Sequence, residues 1–384
     1  MRVGFVTTYF DSYYRGPIWH QLNRLREHSD VTTFASNRAS YQYFSGKGAA
    51  LQPHEKLAEH WDIMRFRIAW KVKGFVWPSG LKELLKVSKP DIIHSNEYYQ
   101  PISWQSFKAA KDMNVPFLFT QRTPCYPNPG RKVAFKLLFN RLGSKVVHGS
   151  AHIISLTTFG KELLVNDFGI SPDKVTVIPN SLDLSNYRNA DGISFRKTYG
   201  IPEDAFVIGH IGRVFAMKRI DLLVRVFSEL RKVVPNSRLL VVGPHDPAEK
   251  SGVDAVIREL DVRNVIFTGP IPNEKVKHAA AASDVITLTS QKEPFGYSLL
   301  EGMALGKPAI AFAIGGIPDI IKDGQNGCLV KWCDIGEYSE KLHLLAEDHS
   351  LRKKLGAAAK NDVEKKFNLD VTTPALLKIY ESLR

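Results

Sequence analysis

Short apolar runs alternate with longer amphipathic stretches along the whole chain, and near its midpoint the alternation pauses and begins again. That pattern belongs to parallel sheets covered by helices, because parallel strands need crossovers long enough to hold a helix. In the first half the runs at 2–7, 31–35, 63–67, 91–95, 116–120, 152–157 and 174–179 read as strands. Helical stretches fall near 17–28, 79–88, 100–113, 131–147 and 158–168. In the second half strands are expected at 206–212, 238–243, 264–269, 285–289, 309–312 and 328–330. Helices there fall near 218–234, 251–261, 273–281, 297–305 and 335–348. Segment 180–200 holds Asn180, Asp183, Asn186, Asn189, Asp191 and Gly192 without a long apolar run, and reads as a linker. The fold class is therefore α/β, with two successive Rossmann-like domains, 1–185 and 195–366, and 384 residues suit two ordinary cores. Neither half carries Gly-x-Gly-x-x-Gly, so the usual dinucleotide fingerprint is missing.

Composition narrows the classes. Cys125, Cys328 and Cys333 are too few and scattered for a disulfide framework and read as reduced thiols. No run reaches the ~18–20 apolar residues of a membrane span, and the N-terminus reads as a strand rather than a signal peptide. A cytoplasmic protein, soluble or attached peripherally at the inner face of the cell membrane, is expected. The formal charge of +13 is uneven: residues 1–190 hold 25 Lys/Arg against 14 Asp/Glu, whereas residues 191–384 hold 27 against 25. The first half is thus the one suited to an anionic partner.

Open α/β sheets bind ligands beyond the carboxyl ends of their strands. After the run 206–212 come Arg213 and, opening a helix, Lys218. Two cations at one helix N-terminus suit a pyrophosphate. After 285–289 comes Ser290-Gln-Lys-Glu293-Pro-Phe295-Gly296-Tyr297-Ser298-Leu299-Leu-Glu301. Gly296 stands where a helix begins and leaves its first amides free to donate. Glu293 and Glu301 can bracket a ligand, and a carboxylate suits the vicinal hydroxyls of a sugar. After 309–312 comes Gly315-Gly316-Ile317-Pro318-Asp319, a further glycine turn with Pro near a helix start. Each feature alone has an ordinary explanation in a solvated cation or a capped helix. Their coincidence at the strand ends of one domain is what singles them out.

Glu293-Pro-Phe-Gly-x-x-x-x-Glu301-x-Met303-Ala304-x-Gly306-x-Pro308 resembles the Glu-x7-Glu motif of family-4 retaining glycosyltransferases. Gly212-Arg213…Lys218 resembles their phosphate-binding pair, and 177–183 their interdomain segment. Gly315–Asp319 with Asp323-Gly324-x-Asn326-Gly327 resembles their closing motif. The likeness is strong over about 170–330 and only one of pattern in the N-terminal half. It implies the GT-B fold, two Rossmann-like domains facing each other across a cleft, with 367–384 a helix crossing back to the first domain. It also implies a donor site for a nucleoside-diphosphate sugar, UDP- or GDP-linked, in the second domain. Glu301 would hold the ribose, Glu293 the transferred sugar, and Arg213 and Lys218 beside Gly212 the leaving diphosphate. Amides around Phe295, Gly296, Tyr297, Ser298 and Leu299 would meet sugar and phosphate oxygens, and the base would lie near Pro270 and Ile271. No Asp-x-Asp occurs, so these cations are expected to replace a metal, with no other cofactor. The reaction implied is a hexosyl transfer with retention, the diphosphate leaving as an oxocarbenium-like sugar forms.

On the acceptor side the expected residues are Gly16, His94, Gln121 and Arg122. Thr120-Gln121-Arg122 stands where the family often has a His, and His94 is as easily a structural residue. A basic amphipathic stretch at 131–148, and a basic-aromatic one at 61–73 with Arg65, Arg67, Trp70, Lys71 and Lys73, point towards an anionic membrane surface. The acceptor is accordingly sought among membrane lipids, polyprenol-linked carriers and growing glycans. The rivals are a sugar-nucleotide epimerase or phosphorylase on the same fold, and a non-catalytic nucleotide- or nucleic-acid-binding protein. No nucleic-acid partner is expected, since charge is the only feature in favour of one.

Overall fold

The computed structural model of the protein describes residues 1–10, 16–38, 51–72, 75–123 and 142–384. It divides into two compact units, Met1–Asn180 with Leu369–Arg384, and Ser181–Asn368.

Unit 1 is built on a nine-stranded sheet. Its parallel part runs β4 (Trp61–Val72), β2 (Asp30–Ser36), β1 (Arg2–Val6), β6 (Ile92–Asn96), β7 (Phe117–Gln121), β8 (His152–Ser155) and β9 (Val175–Val177). Two antiparallel strands flank β4, namely β3 (His54–Ala58) and β5 (Phe75–Ser79). Neither is an expected strand. β3 is polar and half-exposed, and Pro78 interrupts the apolar run of β5, so neither shows a buried strand's pattern. The C-terminal helix Leu369–Ser382 belongs to this unit, where Leu376 and Tyr380 join Phe5, Trp61 and Ile92 in the core.

Unit 2 carries six parallel strands in the order β12 (Val265–Gly269), β11 (Ser237–Val242), β10 (Phe206–Ile211), β13 (Val285–Leu288), β14 (Ala309–Phe312) and β15 (Gly327–Val330). This is the 3-2-1-4-5-6 order of dinucleotide-binding sheets, with its switch point between β10 and β13. All six expected strands are present to within a residue at each end. The expected linker instead holds a 3-10 turn, Leu184–Tyr187, and a helix, Gly192–Thr198, that buries Phe195. A further helix, His349–Lys366, was not expected; its many lysines hide the few positions it buries.

Close packing fixes the helix Tyr297–Met303 on β13. A Cβ on Gly302 would fall 2.1 Å from Ile286 Cγ1, so only hydrogen fits there. Gly302→Ala is expected to cost about 1–3 kcal/mol through overpacking. A chemical melt unchanged from wild type would contradict that packing.

Candidate active site

The carboxyl ends of β10 and β13 lie side by side at the switch point, and the expected donor residues follow them. β10 runs out through Gly212 to Arg213, whose exposed guanidinium lies 4.9 Å over the Phe215 ring. The turn is tight. A Cβ on Gly243, at the end of β11, would sit 2.3 Å from Gly212 O, and φ there is +137°. A short 3-10 turn, Ala216–Lys218, then leads to the helix Ile220–Val233. Thr289, just past β13, pins that turn by donating from Oγ1 to the carbonyls of Lys218 (3.0 Å) and Arg219 (3.1 Å). The Gln291 amide donates to Met217 O at 2.8 Å.

This pinning brings Lys218 and Glu293 together. Lys218 Nζ lies 2.6 Å from Glu293 Oε2, which also accepts from Ser290 Oγ at 3.0 Å. The two side chains are only 19% and 10% exposed, so the pair is largely withdrawn from water. On β10, His210 is wholly buried, and burial, then the Lys218 charge, lowers its pKa to about 3 against the pull of the Thr287 backbone.

Glu301 does not share that contact. It sits on the helix Tyr297–Met303 and accepts from the Tyr187 hydroxyl at 3.1 Å. Burial pushes its carboxyl up to about 7, against the opposing pull of the Tyr187 hydrogen bond. Gly296 caps the same helix at φ +95°, and a Cβ there would fall 2.7 Å from Ile317 Cδ1. The Gly316 amide donates to Glu293 O at 3.0 Å, so the two glycine turns are packed on each other. Phe295 and Leu299 are buried, while Tyr297 and Ser298 keep part of their surface open. Pro270 and Ile271 follow β12, two strands away from β10. The stretch Asp323–Gly327 works as a structural knot. Asn326 is buried, accepts from the Lys322 amide, and donates to Ile320 O and to Asp362.

In unit 1 the acceptor-side residues separate. His94 is wholly buried, with Nδ1 2.6 Å from Tyr380 Oη and Nε2 2.7 Å from Thr120 Oγ1. Both nitrogens are thereby used, and burial lowers its pKa to about 3. His94 thus joins β6 to β7 and the C-terminal helix, in keeping with the structural role the sequence left open for it. Gln121 is buried and bonds Thr123 O. Gly16 caps the helix Pro17–Leu25 without a side-chain bond. Arg122 is part-buried and fully engaged within unit 1. Its Nε, Nη1 and Nη2 each donate at 2.8 Å, to Asn96, Asn180 and Gln21 respectively. Beside it Glu97, which was not expected, takes φ +62° and accepts the Thr123 amide at 2.8 Å. Burial pushes the Glu97 carboxyl up to about 8. An acid just past a strand end was a readable sign of it.

The surface expectation for 61–73 is corrected in part. Trp61 and Arg65 are buried, Arg65 bonding Glu55 and Phe10 O, so the outward face begins at Arg67. Trp70 is 49% exposed and stacked on Trp77 at 3.7 Å, and Lys71 is exposed. Lys73, Cys125 and most of 131–148 lie outside the described residues; Val146 is buried and Leu142 exposed. Among the described residues no helix is long and apolar enough to cross a membrane.

Unit 2 carries the 3-2-1-4-5-6 sheet and unit 1 a second sheet with a long parallel run, the two-domain make-up of GT-B glycosyltransferases, and comparison with known proteins shows that class. Residues 193–362 match the family model described as glycosyl transferases group 1, and residues 43–186 match that of Glycosyltransferase Family 4. The chain is 30% identical over 318 residues to a D-inositol 3-phosphate glycosyltransferase of Stackebrandtia nassauensis, covering 76% of this chain and 68% of that one. Against the Streptomyces bingchenggensis protein of that name it is 27% identical over 325 residues, covering 77% and 67%. Among solved structures, Anabaena HepE in complex with UDP superposes with TM-score 0.81 at 18% identity, over 100% of both chains. Sucrose-phosphate synthase from Thermosynechococcus elongatus superposes with TM-score 0.80 at 18% identity, over 100% of this chain and 98% of that one. The protein belongs to glycosyltransferase family 4.

Proposed function

We propose that the protein transfers a hexosyl unit from a UDP-sugar to a hydroxyl-bearing acceptor, a lipid or a growing glycan, with retention and without a metal. The observation that carries the reading is the withdrawn Lys218–Glu293 pair at the β10/β13 switch point. A cation held there meets the negative charge that grows on a departing diphosphate, at little reorganisation cost. Arg213, exposed on the same turn, adds a second charge. The first-turn amides of Tyr297–Met303 supply donors. Glu301 would take the ribose hydroxyls, and Glu293, released when phosphate engages Lys218, would turn to the sugar. UDP rather than GDP is favoured because Anabaena HepE is solved with UDP and with UDP-glucose. Retention would appear as an α-linked first product from UDP-α-glucose; a β-linked product would overturn it.

The test is a thermal-shift panel of UDP, GDP, ADP and CDP, with and without EDTA. UDP at about 100 times its dissociation constant should stabilise by ~2.7 kcal/mol. The shift and the transfer rate should survive EDTA. No shift with any nucleotide would refute the donor site, and activity lost to EDTA and regained with Mg would refute the metal-free reading.

A further inference from the structure

Glu301 depends on a residue far from it in sequence. Tyr187 stands 114 positions earlier, and its hydroxyl donates to Glu301 Oε1 at 3.1 Å. The segment carrying Tyr187 is clamped on both sides. Before it, the buried Leu182 donates its amide to Phe367 O at 2.8 Å, and Asp183 accepts from the Ser185 amide and hydroxyl. After it, Arg188 O accepts from Lys277, the Asp191 amide donates to His278 Nδ1, and Gly192 lies so close to the helix Val276–Ala282 that a Cβ would fall 2.6 Å from Ala281 O. A hydroxyl held so firmly can orient its partner rather than follow it.

We propose that Tyr187 is a positioning residue for nucleotide binding, supporting the charged form of the Glu301 carboxylate and turning it so that its remaining lone pairs receive the ribose. The inference rests on the reading of Glu301 as the ribose ligand. A carboxylate offers about four acceptor positions, and the Tyr187 hydroxyl uses one, leaving enough for two vicinal hydroxyls. A hydrogen bond to the charged form favours that form, so Tyr187 works against the burial that favours the acid. Burial is the stronger, and the carboxyl of Glu301 stays raised to about 7. The other titratable groups bearing on Tyr187 are Tyr297, on the helix of Glu301, and Asp183, on the preceding turn.

UDP-glucose is the probe, since its diphosphate has no proton to exchange between pH 5.5 and 9, a range of roughly two units about the expected midpoint. Wild-type affinity should fall as pH drops through about 7, and Glu301→Gln should abolish that midpoint. Tyr187→Phe keeps the ring and loses the hydroxyl. At neutral pH it should bind about tenfold more weakly, the worth of a hydrogen bond to a charged group. Its midpoint should move up, so the deficit should narrow towards the alkaline end. A Tyr187→Phe profile that matches wild type, or one weakened equally at every pH, overturns the proposal while Glu301→Ala still binds poorly. If Glu301→Ala binds UDP-glucose as wild type does, the ribose reading itself fails.

Discussion

Lys218→Ala is expected to lower turnover about a hundred- to a thousand-fold, the loss seen when one preorganised donor to a developing oxyanion is removed. The effect should fall on kcat more than on KM, because the departing diphosphate carries more charge at the transition state than in the bound donor. A second lesion accompanies the first. The Glu293 side chain is only 10% exposed, and with Lys218 gone its carboxylate would keep the bond from Ser290. A buried carboxylate without its cation is costly and takes up a proton instead. The single variant should therefore melt earlier than wild type. Adding Glu293→Gln should restore stability, and Glu293→Gln alone supplies the turnover against which the double variant is read, so the structural loss is separated from the catalytic one. Steady-state kinetics with a thermal melt of each variant is the measurement. A Lys218→Ala rate within threefold of wild type would end the proposed role.

That pair also shows where sequence reading stops. Lys218 and Glu293 were each legible, because each follows an apolar run ending at a glycine or hydroxyl turn. Their contact was not, since 75 residues separate them and the bonds from Thr289 that join the two turns are tertiary. The strands of unit 2 were read nearly to the residue because each is a short apolar run, fully buried in cases such as VITL in β13 or AIAF in β14 and half-buried in β12. Unit 1 was less legible. Its sheet takes in the polar β3 and the Pro-bearing β5, and half-exposed strands lack that signal. Tyr187 gave no local sign at all. It lies in a stretch of Asn, Asp and Ser that reads as linker, and only the clamps on either side turn it towards Glu301. His94 marks the opposite limit, since a strand-end histidine looks the same in sequence whether it faces a ligand or a tyrosine.

The other large effect is expected in unit 1, at Arg122. Its three bonds reach the helix after β1 through Gln21, the end of β6 through Asn96, and the chain beyond β9 through Asn180. All three hydrogen-bond partners are neutral amide oxygens, and the Glu97 carboxyl nearby adds an attraction that favours the charge. Burial nonetheless lowers the guanidinium to about 10, yet leaves it charged at neutral pH. A cation kept by neutral acceptors retains its field for a ligand, the arrangement expected of an acceptor-side residue. Arg122→Leu should cost unit 1 about 3 kcal/mol, since charged hydrogen bonds are lost together and their acceptors are left behind. Arg122→Lys, which keeps the charge but loses the fork, should recover only part. Five of the six tryptophans, all but Trp332, lie in unit 1, so fluorescence in urea follows that unit. Transfer should be lost in Arg122→Leu while UDP-glucose affinity, which the proposed donor site assigns to unit 2, is kept. Unchanged unfolding would show that the network does not hold the sheet ends, and a parallel loss of UDP-glucose affinity would show that the donor site depends on Arg122 as well.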